Sequence, residues 1–498
     1  MYAKFASATA LALALLASTA FAQSAKDTLT VDLPNDAATL DPHIQWDTDS
    51  YSIYRNIFDN LLTRDASGKI VPQIAKSWNY LDDKTIEFQI RDGVSFQDGT
   101  KLTADDVAFS INRIIAPALK SPQLSQFDQI IKAEATSPSV VKMTTKSPYP
   151  ALLAQLVKLS IVPKAYVEKV GDQEFNQKPM GSGPYKLVQW QKGVQTELAA
   201  NETYWRAKPP FTHVVFRAVP DVSTRIADLK TGKADLVRDL PADQAIALKS
   251  EPDAQVLAVP TERVGYIYIN AQAGATKDVR VRQAIAHAID RQGLIDALLQ
   301  GFGAPVNILG AAPIFGYTDK VDGYAYDPDK ARALVKEAGA EGAKVEFITS
   351  PAYDRAMVEA IQQMINDVGL DTEITSLDQA TFLKRRQGDA ANAGSVAFGR
   401  WSCACQDADG VIFPLFRTGS SWAKYSNPQF DALVDAARST LDTDKRMQDY
   451  QKAYEILKED VPGIGLYQGY AVYGASNHLK WQPSPNEAMF VMDMSWQQ

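Results

Sequence analysis

Residues 344–377 constrain the fold of this 498-residue chain more than any other stretch. The run "KVEFIT" alternates as a strand. The run "YDRAMVEAIQQMINDVG" sets Val358, Ile361, Ile365 and Val368 on one helical face and stops at Gly369. A second strand, "TEITSL", follows. Strand, helix and strand in this order form a βαβ unit, whose two strands must be parallel with a right-handed crossover. The second half is therefore predicted to be α/β. More helices are punctuated around this unit: "DPDKARALVKEAG" opens at Asp327-Pro328 and stops at Gly339, and "NPQFDALVDAAR" opens at Asn427-Pro428. In "VRVRQAIAHAID", Val281, Ala284, Ile285 and Ala288 recur at helical spacing, which places His287 on the polar side.

The first half mixes hairpins with helices. Leu29 and Val31 alternate with polar neighbours, and a loop with Pro34, Pro42, His43 and Trp46 follows. Ile86, Phe88 and Ile90 define a strand between the turn signals Asp92-Gly93 and Asp98-Gly99. Thr103 with Asp106 resembles a capping box ahead of a stripe of Val107, Ile111 and Ile114. "PMGSGPYKLVQWQKGVQTELAA" reads as a Gly/Pro-rich link followed by two strands, where a domain boundary fits.

The chain opens with Lys4, an apolar run through Leu16 and the small-residue pattern Ala20-Phe21-Ala22. This predicts an export signal over 1–22, cleaved after Ala22. The apolar run is too short for a membrane span, which needs about 20 residues. Cleavage leaves a chain long enough for two or three domains. The formal charge of −8 becomes −9 when Lys4 leaves with the signal, which argues against a nucleic-acid partner.

Catalytic and metal patterns are missing. The four histidines, His43, His213, His287 and His478, are scattered, whereas metal sites need clustered ligands. There is no G-x-S-x-G, no P-loop and no complete G-x-G-x-x-G. "GSGPYK" at 181–186 lacks the third glycine and reads as a turn. No cofactor, metal or catalytic residue is expected. Cys403 and Cys405, the only cysteines, offer too few ligands for structural zinc. In an exported protein they are expected to form a disulfide, since Cα atoms two residues apart reach the required separation of about 4.4–6.8 Å when the chain turns. Two buried thiols are the alternative.

Seven segments in order, "TLDPH", "IAKSWNYLDDKTIEFQIRDGVSFQDGTKLTADDV", "GSGPYKLVQW", "NETYW", "VRQAIAHAIDRQGLI", "YDPDKARALVKEAG" and "YSNPQFDALVDAAR", carry a family resemblance. Together they resemble the large extracytoplasmic solute-binding proteins of ATP-driven (ABC) importers, family 5, which take up dipeptides, oligopeptides and nickel. The resemblance implies an α/β, two-lobed periplasmic-binding-protein fold with a hinge and an extra α+β subdomain in the first lobe. It divides the chain into a discontinuous lobe I (23–65, 181–262 and 471–498), the extra subdomain (66–180) and lobe II (263–470).

Ligands of open α/β sheets bind outside the carboxyl ends of the strands. Arg355 follows the strand 344–349 there, and in dipeptide-binding relatives an arginine at the matching place holds the ligand carboxylate. A surface arginine paired with Asp354 or Glu359 is the alternative. The stretch "RWSCACQDADGVIFPLF" follows the apolar run 395–399, so Arg400 onward is expected to leave the strand toward the same crevice. Trp401 matches a tryptophan of peptide-binding relatives. Three residues on, those relatives carry the aspartate that binds the α-amino group, and this chain has Ala404. The relatives' later D-x-D is retained as Asp407 and Asp409.

A buried ammonium without a partner costs several kcal/mol, so Ala404 weakens a free-peptide reading. Asp407 could replace the missing acid if the loop is reshaped. Trp401 and Trp422 are candidate stacking walls, with core packing as the alternative. Arg400 and Arg355 are candidate donors, and Ser402, His43 and Trp46 complete the ligand-binding set. The expected function is capture of a small polar organic solute, a peptide, opine or sugar derivative, for delivery to inner-membrane permease subunits. The carrier is expected to be a periplasmic monomer. The alternatives are an exported hydrolase, with Asp407 and Asp409 as its only acid/base candidates, and a sensor that presents its ligand to a chemoreceptor.

Overall fold

The computed structural model describes residues 27–497 apart from 46, 66, 67 and 404, and for 125 the backbone alone. The expected leader, Trp46 and Ala404 lie outside the described residues.

Two long antiparallel strands, Ala254–Ile269 and Gly463–Ser476, form the middle of an 11-stranded sheet. At about 3.3 Å per residue, each runs through both halves of the molecule. On one side the sheet continues through Val396–Trp401, Lys344–Thr349 and Asp371–Ser376. The last two pair in parallel, Lys344 opposite Asp371, and the helix Arg355–Asn366 joins them. Its buried residues, Met357, Val358, Ile361 and Ile365, are the apolar stripe read from the sequence. On the other side lie Leu236–Arg238, Thr28–Leu33, His213–Ala218, Gln195–Ala200 and Tyr185–Gln191.

Pairing between the long strands slips twice, between Pro260 and Val264 and between Gly265 and Tyr266. Such bulges re-aim side chains and bend the strand. Thr261 braces the bend: its hydroxyl donates to the Gly469 carbonyl at 2.8 Å, and its own carbonyl accepts from Gln468 Nε2 at 2.7 Å.

A separate antiparallel sheet, ordered Ala75–Asp82, Thr85–Ile90, Val140–Thr145 and Ile130–Ser137, has its own core. Ile86, Phe88, Val141 and Met143 meet Val107, Ile111 and Ile114 of the helix Ala104–Ile115. That helix starts with the expected box: Asp106 accepts from the Thr103 backbone at 2.9 Å and from its hydroxyl at 3.0 Å. His287 differs from the expectation. It is buried, bonded through Nδ1 to the Ala325 carbonyl at 2.8 Å and edge-on to Tyr324, because the segment before the helix Pro328–Glu337 covers that face. Among the described residues, no helix is long and apolar enough to cross a membrane.

Candidate functional site

A cleft of about 1520 Å³ opens where the two long strands pass between the halves. Typical small-ligand pockets hold about 300–1,000 Å³, so it can take a solute of peptide size. One wall comes from the helix Thr48–Tyr54, capped by Asp47, and the strand Leu62–Arg64, which present Tyr51, Arg55 and Arg64. The bulged strand supplies Glu262 and Arg263. Neighbours on a regular strand face opposite ways. The bulge lets both reach the cleft. The far wall is Trp401, at the end of its strand, and the loop that follows it.

The strand Val396–Trp401 runs two residues further than the sequence suggested, so Arg400 does not leave it. Arg400 pairs with Gly265, and its exposed side chain lies outside the cleft lining. Alternation turns Trp401 the other way, into the cleft, with Ser402 next to it. Trp401 donates from Nε1 to the Gly410 carbonyl at 2.9 Å. Trp422 is not a cleft wall. It packs edge-on behind Trp401, ring centres 5.5 Å apart, and the Arg386 guanidinium lies 5.7 Å from its ring centre.

Cys403 and Cys405 are bonded to each other, their Cα atoms 5.0 Å apart, and both line the cleft. Gly410 makes room for them, since a Cβ there would run into both sulfurs. Arg64 crosses from the opposite wall and donates to the Cys405 carbonyl at 2.9 Å.

The two aspartates of the loop do not act together. Asp407 is turned away from the cleft and committed: Arg446 Nη2 reaches its oxygens at 2.9 and 3.0 Å, and it caps the Asp409 backbone at 3.0 Å. It therefore cannot stand in for the acid missing at 404. Asp409 does line the cleft and approaches Arg438 Nε at 2.9 Å, an ion pair whose angle leaves Oδ1 without a hydrogen bond. Burial first, and then Asp407, push its carboxyl up to about 6. Each carboxylate has its own arginine, which removes the acid/base pair a hydrolase would need.

Two further candidates are corrected. His43 is fully buried away from the cleft. Arg113 donates to its Nδ1 at 3.0 Å, which fixes Nε2–H as the donor to the Ser160 carbonyl at 2.9 Å. Burial and the Arg113 charge lower its pKa to about 4, so the ring is neutral. Arg355 starts its helix as expected, but its side chain is 89% exposed and paired with Glu359 at 2.6 Å, outside the cleft lining. The i, i+4 spacing of the pair explains this placement.

The charged residues that do line the cleft were overlooked in the sequence. Arg55 bonds only hydroxyls among its described partners, Tyr51 at 2.8 Å and Thr63 at 3.3 Å, and lies 4.8 Å from the Phe490 ring centre. Its Nε has no acceptor. Glu262 and Lys158 are each only 6% exposed. Burial raises the Glu262 carboxyl and lowers the Lys158 amine to about 7, while each charge partly offsets the other's burial. Arg263 pairs with Glu487 at 2.5 Å, and Arg238 backs Glu487 at 3.3 Å. Two signals were present. Glu262-Arg263 interrupts the strand "PTERVGYIYIN", and Lys158 is the lone charge in "ALLAQLVKLSIVP". Among the described residues, no cluster of three or more potential metal ligands occurs.

The sequence pattern of the "Bacterial extracellular solute-binding proteins, family 5 Middle" matches residues 69–423. The chain is 30% identical over 488 residues to the glutathione-binding protein GsiB of Escherichia coli K12, covering 95% of this chain and 94% of that one. Among solved structures it is similar to the ABC transporter-associated periplasmic binding protein DppA of Helicobacter pylori, in complex with peptide STSA. That match has a TM-score of 0.77 and 26% identity, and covers 95% of this chain and 99% of that one. HbpA2 of Haemophilus parasuis shares the fold with a TM-score of 0.86 at 24% identity, over 95% of this chain and 100% of that one.

Proposed function

The chain belongs to family 5 of the bacterial extracellular solute-binding proteins, and from that premise we propose that its cleft captures a peptide-like solute carrying both carboxylate and ammonium groups. As a member of the family it is the solute-binding component of an ABC transporter, a carrier and not an enzyme. Arg55 carries the ligand reading. A guanidinium on the cleft wall, held in place by two hydroxyls and an aromatic ring and not ion-paired among the described residues, is prepared for a carboxylate. Arginine's fixed fork suits such an anion. Trp401 offers the flat wall, with Ser402 beside it, and the disulfide holds the loop that carries them.

The relatives' printed ligands, glutathione and the peptide STSA, support the same class. In this reading the halves close about the two long strands, lobe I with its extra subdomain (66–180) against lobe II (263–470). The mature monomer, cleaved after Ala22, then meets inner-membrane permease subunits from the periplasm.

A thermal-shift panel tests the proposal. Glutathione, dipeptides, their N-acetyl forms, opines and sugar phosphates are each added in excess. A ligand at about 100 times its Kd stabilises by about 2.7 kcal/mol. Peptide-like compounds are expected to raise Tm. A shift confined to opines or sugar phosphates would overturn the peptide-like reading.

A further inference from the structure

We propose that Glu262 and Gln406 form the subsite for the ligand's ammonium group, replacing the acid that this chain lacks at 404. The inference rests on the peptide-like reading of the cleft and names its specificity-determining residues.

Both residues line the cleft, and both are almost fully buried, Glu262 at 6% and Gln406 at 4% exposure. Glu262 Oε2 and Gln406 Oε1 are buried acceptors with no hydrogen-bond partner. Buried polar atoms are nearly always satisfied, and unlike Asp409 Oδ1, which faces Arg438, these two acceptors of the cleft have no ion pair either among the described residues. The two side chains are neighbours, since the Gln406 amide partly offsets the burial of the Glu262 carboxylate. A group with several donors and no acceptor fits two such atoms, and an ammonium is that group.

The backbone supports this placement from both sides. Glu262 lies in the bulged part of the long strand, where two extra residues break the regular alternation and its side chain lines the cleft. Gln406 holds a left-handed backbone, φ 50°, which is uncommon outside glycine. Two hydrogen bonds maintain it: its N–H donates to the Cys403 carbonyl at 2.7 Å, and its carbonyl accepts from Phe315 at 2.8 Å. The disulfide turn thus presents Gln406 toward Glu262. The charges around Glu262 are Lys158, Arg64, Arg263 and Glu487. Arg263 and Glu487 are paired with each other, which leaves Lys158 and Arg64 as the cations that offset Glu262. A ligand ammonium adds the hydrogen bonds that Oε2 and the Gln406 oxygen lack.

Titration calorimetry on the intact mature protein tests the subsite, with glutathione and N-acetylglutathione as probes. Wild type is expected to bind glutathione at least about tenfold more tightly, the order expected for one charge-assisted hydrogen bond. Glu262→Gln should remove that preference by weakening glutathione alone, and Gln406→Met should reduce it, with N-acetylglutathione binding unchanged in both. Equal affinity for the two probes in wild type would overturn the subsite but leave the peptide-like reading intact. So would equal losses for both probes in Glu262→Gln. No binding of either probe by wild type, nor of free and acetylated dialanine, would overturn both. If Glu262→Gln does not fold, the preference in Gln406→Met decides: unchanged, it overturns the subsite.

Discussion

Arg64 and Cys405 stand 341 residues apart in sequence and meet across the cleft, the Arg64 Nη2 donating to the Cys405 carbonyl at 2.9 Å. The same guanidinium donates from Nη1 to the Gly68 carbonyl at 2.7 Å, and burial lowers its pKa. One arginine thus ties the strand Leu62–Arg64 to the disulfide turn of the opposite wall. A tie of this kind favours the arrangement in which the walls are near each other. The apparent Kd of a ligand that needs that arrangement scales inversely with its population. Arg64→Ala is expected to weaken binding of any solute held by both walls by about tenfold or more, the order set by one charged hydrogen bond. Calorimetry measures it. Unchanged affinity would show that the tie does not bias closure.

Asp407 and Arg446 form a buried pair that supports the loop from behind. Removing one partner strands a buried charge, which costs about 3–5 kcal/mol. Asp407→Asn is expected to lose that amount in urea unfolding. The double variant Asp407→Asn/Arg446→Met should recover much of it, because the lone guanidinium is gone. A single variant within 1 kcal/mol of wild type, a threshold well under that, contradicts the assignment.

His43 gives a pH signature. Its pKa is 6.5 in the unfolded chain and about 4 in the fold. Between these values the unfolded state binds more protons, so stability rises with pH over this window. The contribution is fully present above 6.5 and is lost as pH falls to 4, roughly 3 kcal/mol in all. Asp409, raised to about 6, acts in the opposite sense between 3.8 and 6. The difference between wild type and His43→Gln isolates the histidine, and the variant's acid limb should be flatter. Parallel curves would contradict a neutral buried ring.

The Cys403–Cys405 bridge closes a very short loop. In the chain-entropy estimate it adds only roughly 1–2 kcal/mol. Cys403→Ser/Cys405→Ser should therefore move Tm little. Ligand affinity should fall more, since the turn that orients Gln406 and Trp401 loosens. Calorimetry beside a thermal melt separates the two effects. A large Tm loss with unchanged affinity would make the bridge a global staple.

Periodicity and punctuation made much of the architecture legible. The stripe Val358, Ile361 and Ile365, the parallel pair around it, and the Thr103–Asp106 cap depend on neighbours in sequence, and such local patterns are visible without coordinates. The site was only partly legible. Trp401 was expected in the site because it matches a tryptophan of peptide-binding relatives, and it lines the cleft, yet the strand's extra two residues sent Arg400 to the other face. Arg355 was placed correctly on its helix, but a neighbour one turn away took its charge. The cleft's own charges depend on distant events. Glu262 faces inward because of a bulge against a strand some 200 residues later, and His43 is occupied by Arg113, 70 residues on. Sequence spacing does not encode such contacts.

Closure of the two walls around a peptide-like solute is the central claim. Small-angle X-ray scattering of the mature protein, with and without saturating glutathione, tests it most directly. The account predicts a smaller radius of gyration in the bound state, and a weaker response in Arg55→Met at the same glutathione concentration. Saturation without any change in radius would contradict closure.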